Sequence, residues 1–288
     1  MGLLRWLFFV VCLAAPLLSG MRVGVASEVT LLIPPDVLTD YQTWLAGRDP
    51  LLLKEFGGAG ARRDVIEVVL AQQALARGGE RGPVRFIAAP TYERILVELA
   101  AGNAAMLATS AWQGDLATLS EVAISRALIP EGGFTAGMYV LPDNARALAA
   151  HTISDVRALT FVSDPAWKVD WATLQRLAPA RIEATPTWPA MVRMVAAGNV
   201  DVLLAPFQSS EDLALVAEGV RLVPIPGFTI GLLGSRHFAV SLKHPQGVRL
   251  ADVLDQGLAQ LLEDGTVTRA YQEAGFVNPR VAKWQRLP

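Results

Sequence analysis

One stretch of the chain occurs twice, and this repetition constrains the fold more than any other feature of the sequence. Residues 90–103 and 186–199 both begin with Pro-Thr and an aromatic residue, and both end with Ala-Ala-Gly-Asn, at one constant offset without a gap. Internal repeats mark structural units that are built alike. Chance similarity is the alternative, and the match at both ends makes it the weaker explanation. We therefore expect two lobes of similar construction.

Each copy has the pattern of a strand, a helix and a second strand. Thr91 and Thr187 are residues that cap a helix start. Gly102 and Gly198 are suited to the left-handed backbone that ends a helix. The flanking apolar runs are typical of buried strands and lie at residues 84–88, 104–108, 181–184 and 200–204. The pattern predicts an α/β fold. Residues 36–60, by contrast, are expected to form a long loop with a short amphipathic segment.

The first 27 residues have the layout of a secretory signal peptide. Arg5 supplies positive charge, and the apolar stretch 7–18 is shorter than a membrane span requires. Small residues precede Glu28, so we expect cleavage after Ser27 and a mature protein in the periplasm. A cut near Gly20 and an uncleaved N-terminal anchor are the alternatives.

Composition excludes several classes of function. The chain has 288 residues, with 25 Lys and Arg against 27 Asp and Glu. This balance gives no basic surface for nucleic acid, so no nucleic-acid partner is expected. One Cys and three His without ligand spacing predict no metal site. No nucleophile and base are arranged as a catalytic triad requires, so we expect neither an enzyme nor a cofactor.

Four segments, taken in order and spacing, resemble type II periplasmic solute-binding proteins, most closely the amino-acid-binding family of ABC importers (family 3). They lie at residues 96–103, 153–162, 194–202 and 258–266. The resemblance covers most of the chain after residue 27. It implies two lobes, each a mixed sheet flanked by helices, with a ligand cleft between them. Lobe 1 would comprise residues 28–132 and 238–288, and lobe 2 residues 133–237, with crossings near residues 131–135 and 236–238.

Two departures from that family concern the ligand. Its amino-acid binders carry an Arg for the ligand carboxylate and an Asp for the ammonium group. The matching positions hold Leu116 and Pro206. An ordinary α-amino acid is therefore not the expected ligand.

In open α/β sheets, ligands bind beyond the carboxyl ends of the strands. This rule nominates nine residues for the cleft, which are Thr91, Tyr92, Ser110, Trp112, Ser163, Trp167, Thr187, Trp188 and Phe207. The set is aromatic and neutral-polar, which favours a flat or apolar ligand part. Free N–H groups at the two helix starts favour an anion, and Lys168 adds positive charge. The alternatives are that the two threonines serve only as helix caps, that Tyr92 and Trp188 pack on their own lobes, and that Trp112 and Trp167 anchor loops in the core.

The sequence therefore predicts a monomeric periplasmic protein that captures a small, anionic or aromatic molecule by hinge closure for an ABC-type importer. Its expected membrane partner is a permease or a sensor. A stand-alone sensory module and a dehydratase-like lyase on the same fold are the alternatives.

Overall fold

A computed structural model describes residues 28–287 of the chain. The predicted signal peptide, residues 1–27, lies outside the described residues, as does residue 288. Within residues 28–287, no helix combines the length and the apolar character needed to cross a bilayer.

The first part of the chain alternates strands with helices. Its elements are β1 (Val29–Ile33), α1 (Pro35–Leu45), α2 (Arg63–Arg77), β2 (Val84–Ala88), α3 (Tyr92–Ala101), β3 (Met106–Leu107), β4 (Ala111–Trp112), α4 (Gln113–Leu116) and β5 (Val122–Ile129). Helix α1 corrects the expectation of a loop over residues 36–60. Pro35 occupies its first turn, where a missing N–H costs nothing, and Val37, Tyr41 and Trp44 form its buried face.

The second part repeats this alternation. Its elements are β6 (Phe134–Val140), α5 (Ala145–Leu148), α6 (Ile153–Arg157), β7 (Thr160–Ser163), α7 (Lys168–Leu177), β8 (Arg181–Ala184), α8 (Trp188–Ala196), β9 (Val202–Pro206), β10 (Leu215–Ala217), β11 (Val220–Pro224) and β12 (Phe228–Leu232). The chain then returns through β13 (Arg236–Ser241), α9 (Gly247–Glu263), α10 (Thr266–Glu273) and β14 (Gln285–Leu287).

The two repeat copies occupy equivalent places in two separate sheets. In the first sheet, β1 lies between β2 and β3 and pairs with both in parallel. In the second sheet, β7 lies between β8 and β9 and also pairs with both in parallel. Gly102 and Gly198 both have positive φ, at 80° and 70°. The predicted strand–helix–strand repeat and the α/β architecture with two mixed sheets are therefore confirmed.

Each sheet also receives one antiparallel strand from beyond a crossing. The chain passes between the sheets at residues 130–133 and 233–235. After the first crossing, β6 pairs antiparallel with β9. After the second, β13 pairs antiparallel with β3. The amino ends of β6 and β13 therefore lie beside the carboxyl ends of β9 and β3, at the edges where the two sheets meet.

The end of the chain crosses a third time, which corrects the placement of residues 238–288 in one lobe. Helix α9 packs closely on α2 of the first lobe, where a Cβ at Gly257 would lie 1.8 Å from the carbonyl oxygen of Ala74. Strand β14, however, pairs in parallel with β12 of the second sheet. A three-residue strand carries too little periodicity to reveal its partner in the sequence.

Candidate functional site

A cavity of about 190 Å³ lies between the two sheets. The first lobe supplies residues that follow β1, β2 and β3, and the second supplies residues that follow β8 and β9. The cavity therefore lies where the carboxyl ends of parallel strands from both lobes meet, as expected for ligand sites in open α/β sheets.

Seven of the nine residues nominated from the sequence line this cavity. They are Thr91, Tyr92, Ser110, Trp112, Trp167, Thr187 and Trp188. The structure thus brings together side chains that are far apart in the sequence and belong to both lobes.

Phe207 and Ser163 do not line the cavity, and their nomination is corrected. Phe207 is fully buried, with its ring centroid 5.6 Å from that of Trp284 and 6.4 Å from that of Tyr139. Because side chains alternate along an extended chain, Phe207 points away from the side on which Pro206 faces the cavity. Ser163 ends β7 and is buried in the second lobe.

The two threonines differ in their use of the hydroxyl. Thr91 caps α3, because its Oγ1 accepts a hydrogen bond of 3.1 Å from the backbone N–H of Arg94. Thr187 stands at the equivalent position of α8, but its side chain makes no capping hydrogen bond. The hydroxyl of Thr187 is therefore the one of the pair that is not committed to its helix.

The two aromatic residues at the helix starts both line the cavity but are held differently. The Tyr92 hydroxyl donates to Asp115 Oδ2 at 3.0 Å and accepts from the backbone N–H of Trp112 at 3.3 Å. Burial raises the pKa of the Tyr92 phenol, so it remains a neutral donor. Trp188 is half-buried against an apolar cluster of the second lobe.

Arg236 is a cavity residue that the sequence reasoning missed. Its Nε donates to Ser110 Oγ at 3.0 Å, and its Nη2 donates to the Ser110 carbonyl oxygen. The guanidinium carbon lies 4.6 Å from the ring centroid of Trp112 and 5.8 Å from that of Phe134. Among residues 28–287, no carboxylate oxygen lies within 4.0 Å of it. Burial lowers the pKa of Arg236, and the neighbouring Arg63 lowers it further.

Arg236 is positioned by a buried network behind the cavity wall. The centre is Glu67, whose carboxylate is fully buried on α2. It accepts hydrogen bonds from Arg63 Nη1 at 2.9 Å, from the N–H and the hydroxyl of Ser110 at 2.8 Å, and from the Tyr271 hydroxyl at 3.0 Å. Since Ser110 also accepts from Arg236, the network fixes the orientation of that guanidinium group.

The neighbouring Arg62 is paired with carboxylates of its own. Its Nη1 lies 2.7 Å from Asp64 Oδ2, and its Nη2 lies 2.9 Å from Asp40 and 3.3 Å from Asp36. Burial raises the pKa of Asp64, but Arg63 and Arg62 outweigh it, and the net pKa of Asp64 is lowered. The charges of this group are therefore satisfied within the first lobe.

Two charged side chains reach the cavity region from the second lobe. Asp170, in the first turn of α7, lines the cavity, and burial raises its pKa to about 6 even though Arg236 and Arg63 act to lower it. Lys168 lies at the rim, with its Nζ 2.9 Å from Asp115 Oδ1 of the first lobe. The Asp170 carboxyl group faces the ligand space, and the Lys168–Asp115 ion pair bridges the lobes.

The same topological rule that nominated the strand ends accounts for the omission of Arg236. Because β13 runs antiparallel to β3, its first residue lies at the edge where β3 ends. For a strand that runs antiparallel to its neighbours, the residue beside the ligand site is therefore at its amino end. For Asp170, the only indication in the sequence is that it follows the nominated Trp167 within one helical turn.

No protein-family model matches this sequence, and no curated protein matches it. Solved structures of several kinds are similar, and three of them illustrate the range. An amino acid ABC transporter substrate-binding protein from Streptococcus pneumoniae, bound to L-arginine, is 14% identical over 86% of this chain and 93% of that chain, with a TM-score of 0.56. The periplasmic VFT2 domain of BvgS from Bordetella pertussis is 15% identical over 85% and 92%, with a TM-score of 0.55. An ancestral amino-acid-binding protein, a precursor of cyclohexadienyl dehydratase, is 17% identical over 86% and 95%, with a TM-score of 0.52.

The chain has the fold of type II periplasmic binding proteins. Within this fold, the two positions that depart from the amino-acid-binding family lie in different surroundings. Leu116 is buried and does not line the cavity, whereas Pro206 does. Ionic groups of the cavity wall come instead from other positions, among them Arg62, Arg63 and Arg236 of the first lobe and Asp170 of the second.

Proposed function

We propose that this protein is a solute-binding protein that captures a small molecule between its two lobes and presents it to a membrane partner. The observation that carries the proposal is the cavity itself, whose wall is shared by both lobes and contains ionic groups from each. A molecule that contacts Arg236 and Trp188 together touches both lobes at once.

Such a molecule favours the closed arrangement through contacts that exist only when the lobes meet. A ligand shifts a conformational equilibrium only by its difference in affinity for the two states. The Lys168–Asp115 ion pair joins α7 to α4 across the cleft and acts in the same direction. The two crossing segments at residues 130–133 and 233–235 provide the hinge.

The predicted signal peptide supports a site of action outside the cytoplasm, and the similar solved structures include a periplasmic domain and an ABC transporter substrate-binding protein. We infer that the membrane partner is an ABC permease that recognises the closed form. A membrane sensor is the competing partner, and the two are distinguished by whether cells import the captured molecule.

The test is native mass spectrometry of the mature protein purified from the periplasm of its own host. We expect protein with one small molecule bound. Trp188→Ala is expected to lose that molecule, whereas Trp171→Ala, the same change on α7 outside the cavity wall, keeps it. Protein without any bound molecule, or equal retention by both variants, contradicts the proposal. Conversion of the molecule by the purified protein indicates a lyase instead.

A further inference from the structure

The three arginines of the cavity wall differ in whether they form ion pairs with carboxylates. Arg62 is paired with three aspartates, and Arg63 is paired with Glu67 and Asp64. Arg236 is buried to the same extent as Arg63, but its hydrogen bonds go to the neutral Ser110, and the carboxylates of Glu67, Asp64 and Asp170 act on it only from beyond ion-pair distance. Buried charges in proteins are normally paired with an opposite charge. Among the described residues, no carboxylate forms an ion pair with Arg236, in contrast to Arg62 and Arg63.

The geometry of Arg236 leaves it able to take an anion. Its Nε and Nη2 donate to Ser110, whereas its Nη1 makes no hydrogen bond to any residue in the range 28–287. The Trp112 ring packs against the guanidinium group, and the Glu67 network holds Ser110. Arginine presents fixed donors suited to a planar carboxylate, so the group is organised before a ligand arrives.

The walls beside Arg236 are aromatic. Trp112 and Phe134 flank its guanidinium group, and Trp167 and Trp188 line the cavity from the opposite lobe. Aromatic walls bury flat apolar groups and add stacking energy beyond the area buried.

We propose that the cleft selects a monoanion with a flat apolar body, and that Arg236 at the second crossing binds the anionic group in place of position 116. This inference rests on the proposed function and specifies its ligand class. It makes Arg236 a specificity-determining residue, because a neutral analogue leaves the buried cation without an ion-pair partner.

Binding of a monoanion has a second consequence on the opposite lobe. Asp170 is faced by Arg236 of β13, by Arg63 of α2 and by Trp112 of β4, while Lys168 on its own helix is engaged by Asp115. A ligand anion at Arg236 removes the attraction that keeps Asp170 ionised. Because the pKa of Asp170 already lies at about 6, the bound state takes up a proton near neutral pH.

The test uses four probes that share a phenyl ring: phenylacetate, phenylacetamide, 2-phenylethylamine and L-phenylalanine. Each is titrated into the mature protein near neutral pH by calorimetry in buffers of different ionisation enthalpy. We expect phenylacetate to bind about tenfold or more tightly than the amide, because a hydrogen bond to a charged group is worth more than one to a neutral group. We also expect proton uptake with phenylacetate.

Arg236→Gln should abolish the preference for phenylacetate over the amide, and Arg236→Lys should retain part of it. Arg126→Gln, the same change on an exposed arginine of β5, serves as the matched control. Asp170→Asn should abolish proton uptake while preserving the preference for the anion, a readout that does not depend on the folding of the Arg236 variants.

The inference is overturned if the amine, the amide or the dipolar phenylalanine binds as tightly as phenylacetate, if Arg236→Gln leaves the preference unchanged, or if none of the four probes binds at millimolar concentration. Its failure is separable from that of the proposed function. A native preparation that carries a bound cation or dipolar ion contradicts the ligand class and leaves solute capture intact.

Discussion

The carboxyl group of Asp170 should destabilise the folded protein at neutral pH. Burial raises its pKa from the ordinary value of 3.8 to about 6. The folded state therefore binds this proton more tightly than the unfolded state, and stability falls as the pH rises between these two values. Asp170→Asn resembles the protonated side chain and cannot ionise. The variant is thus expected to be more stable than the parent at neutral pH.

The size of the effect follows from the displacement of the pKa. At full burial, the shift corresponds to about 3 kcal/mol of folding free energy at neutral pH. Asp170 is half-buried and keeps part of its surface in contact with water. Solvent screening reduces the contribution, and we expect a gain of about 1.5 kcal/mol for Asp170→Asn.

The assay is urea denaturation of both proteins followed by tryptophan fluorescence, near pH 7.5 and near pH 4. The gain should be present at the higher pH, where the parent carboxyl is ionised, and nearly absent at the lower pH. A gain of equal size at both values would refute the reasoning, because it would have to arise from packing. A loss of stability near pH 7.5 would show that Asp170 is held as a favourable ion.

Three further substitutions test other parts of the structure. Glu67→Gln should cost about 3 kcal/mol in urea denaturation, because it leaves the buried Arg63 with a neutral partner. Phe207→Ala should cost about 3–5 kcal/mol through the cavity it creates, with unchanged ligand affinity in titration calorimetry. Lys168→Ala should cost under about 1 kcal/mol, since the ammonium group is exposed, but should increase the radius of gyration measured by X-ray scattering.

Each of these three has a contrary outcome. A mild effect of Glu67→Gln would mean that Arg63 is satisfied by Asp64 alone. Weakened ligand binding in Phe207→Ala would mean that the Phe207 ring contacts the ligand after all. An unchanged radius of gyration in Lys168→Ala would mean that the ion pair does not hold the lobes together.

The local architecture of each lobe was readable from the sequence because its signals are local. Thr91 caps α3 by a hydrogen bond three residues away, and Gly102 ends that helix with a positive φ. The strands on either side are apolar runs that pair in parallel around β1 and around β7. Every one of these features is decided within a few residues, so periodicity and capping suffice.

The charged part of the site was not readable in this way. Arg236 enters the cavity only because β13 lies antiparallel beside β3, a pairing between segments far apart in the chain. Phe207 does not line the cavity, because the direction in which its side chain points depends on where β9 ends. Both outcomes depend on long-range pairing and register, which no local pattern encodes.

The third passage of the chain between the lobes limits how the molecule can open. Asn278 donates to the Gln208 carbonyl oxygen at 3.1 Å, and β14 adds an edge strand to the second sheet. Gln208 is itself part of the cavity wall. Two lobes joined by three chain segments rotate through a smaller angle than two lobes joined by two, unless β14 dissociates from β12. Release of a bound molecule would then depend on the dissociation of β14 from β12. A protein fused after β14 would hinder or favour that dissociation and so change the release rate.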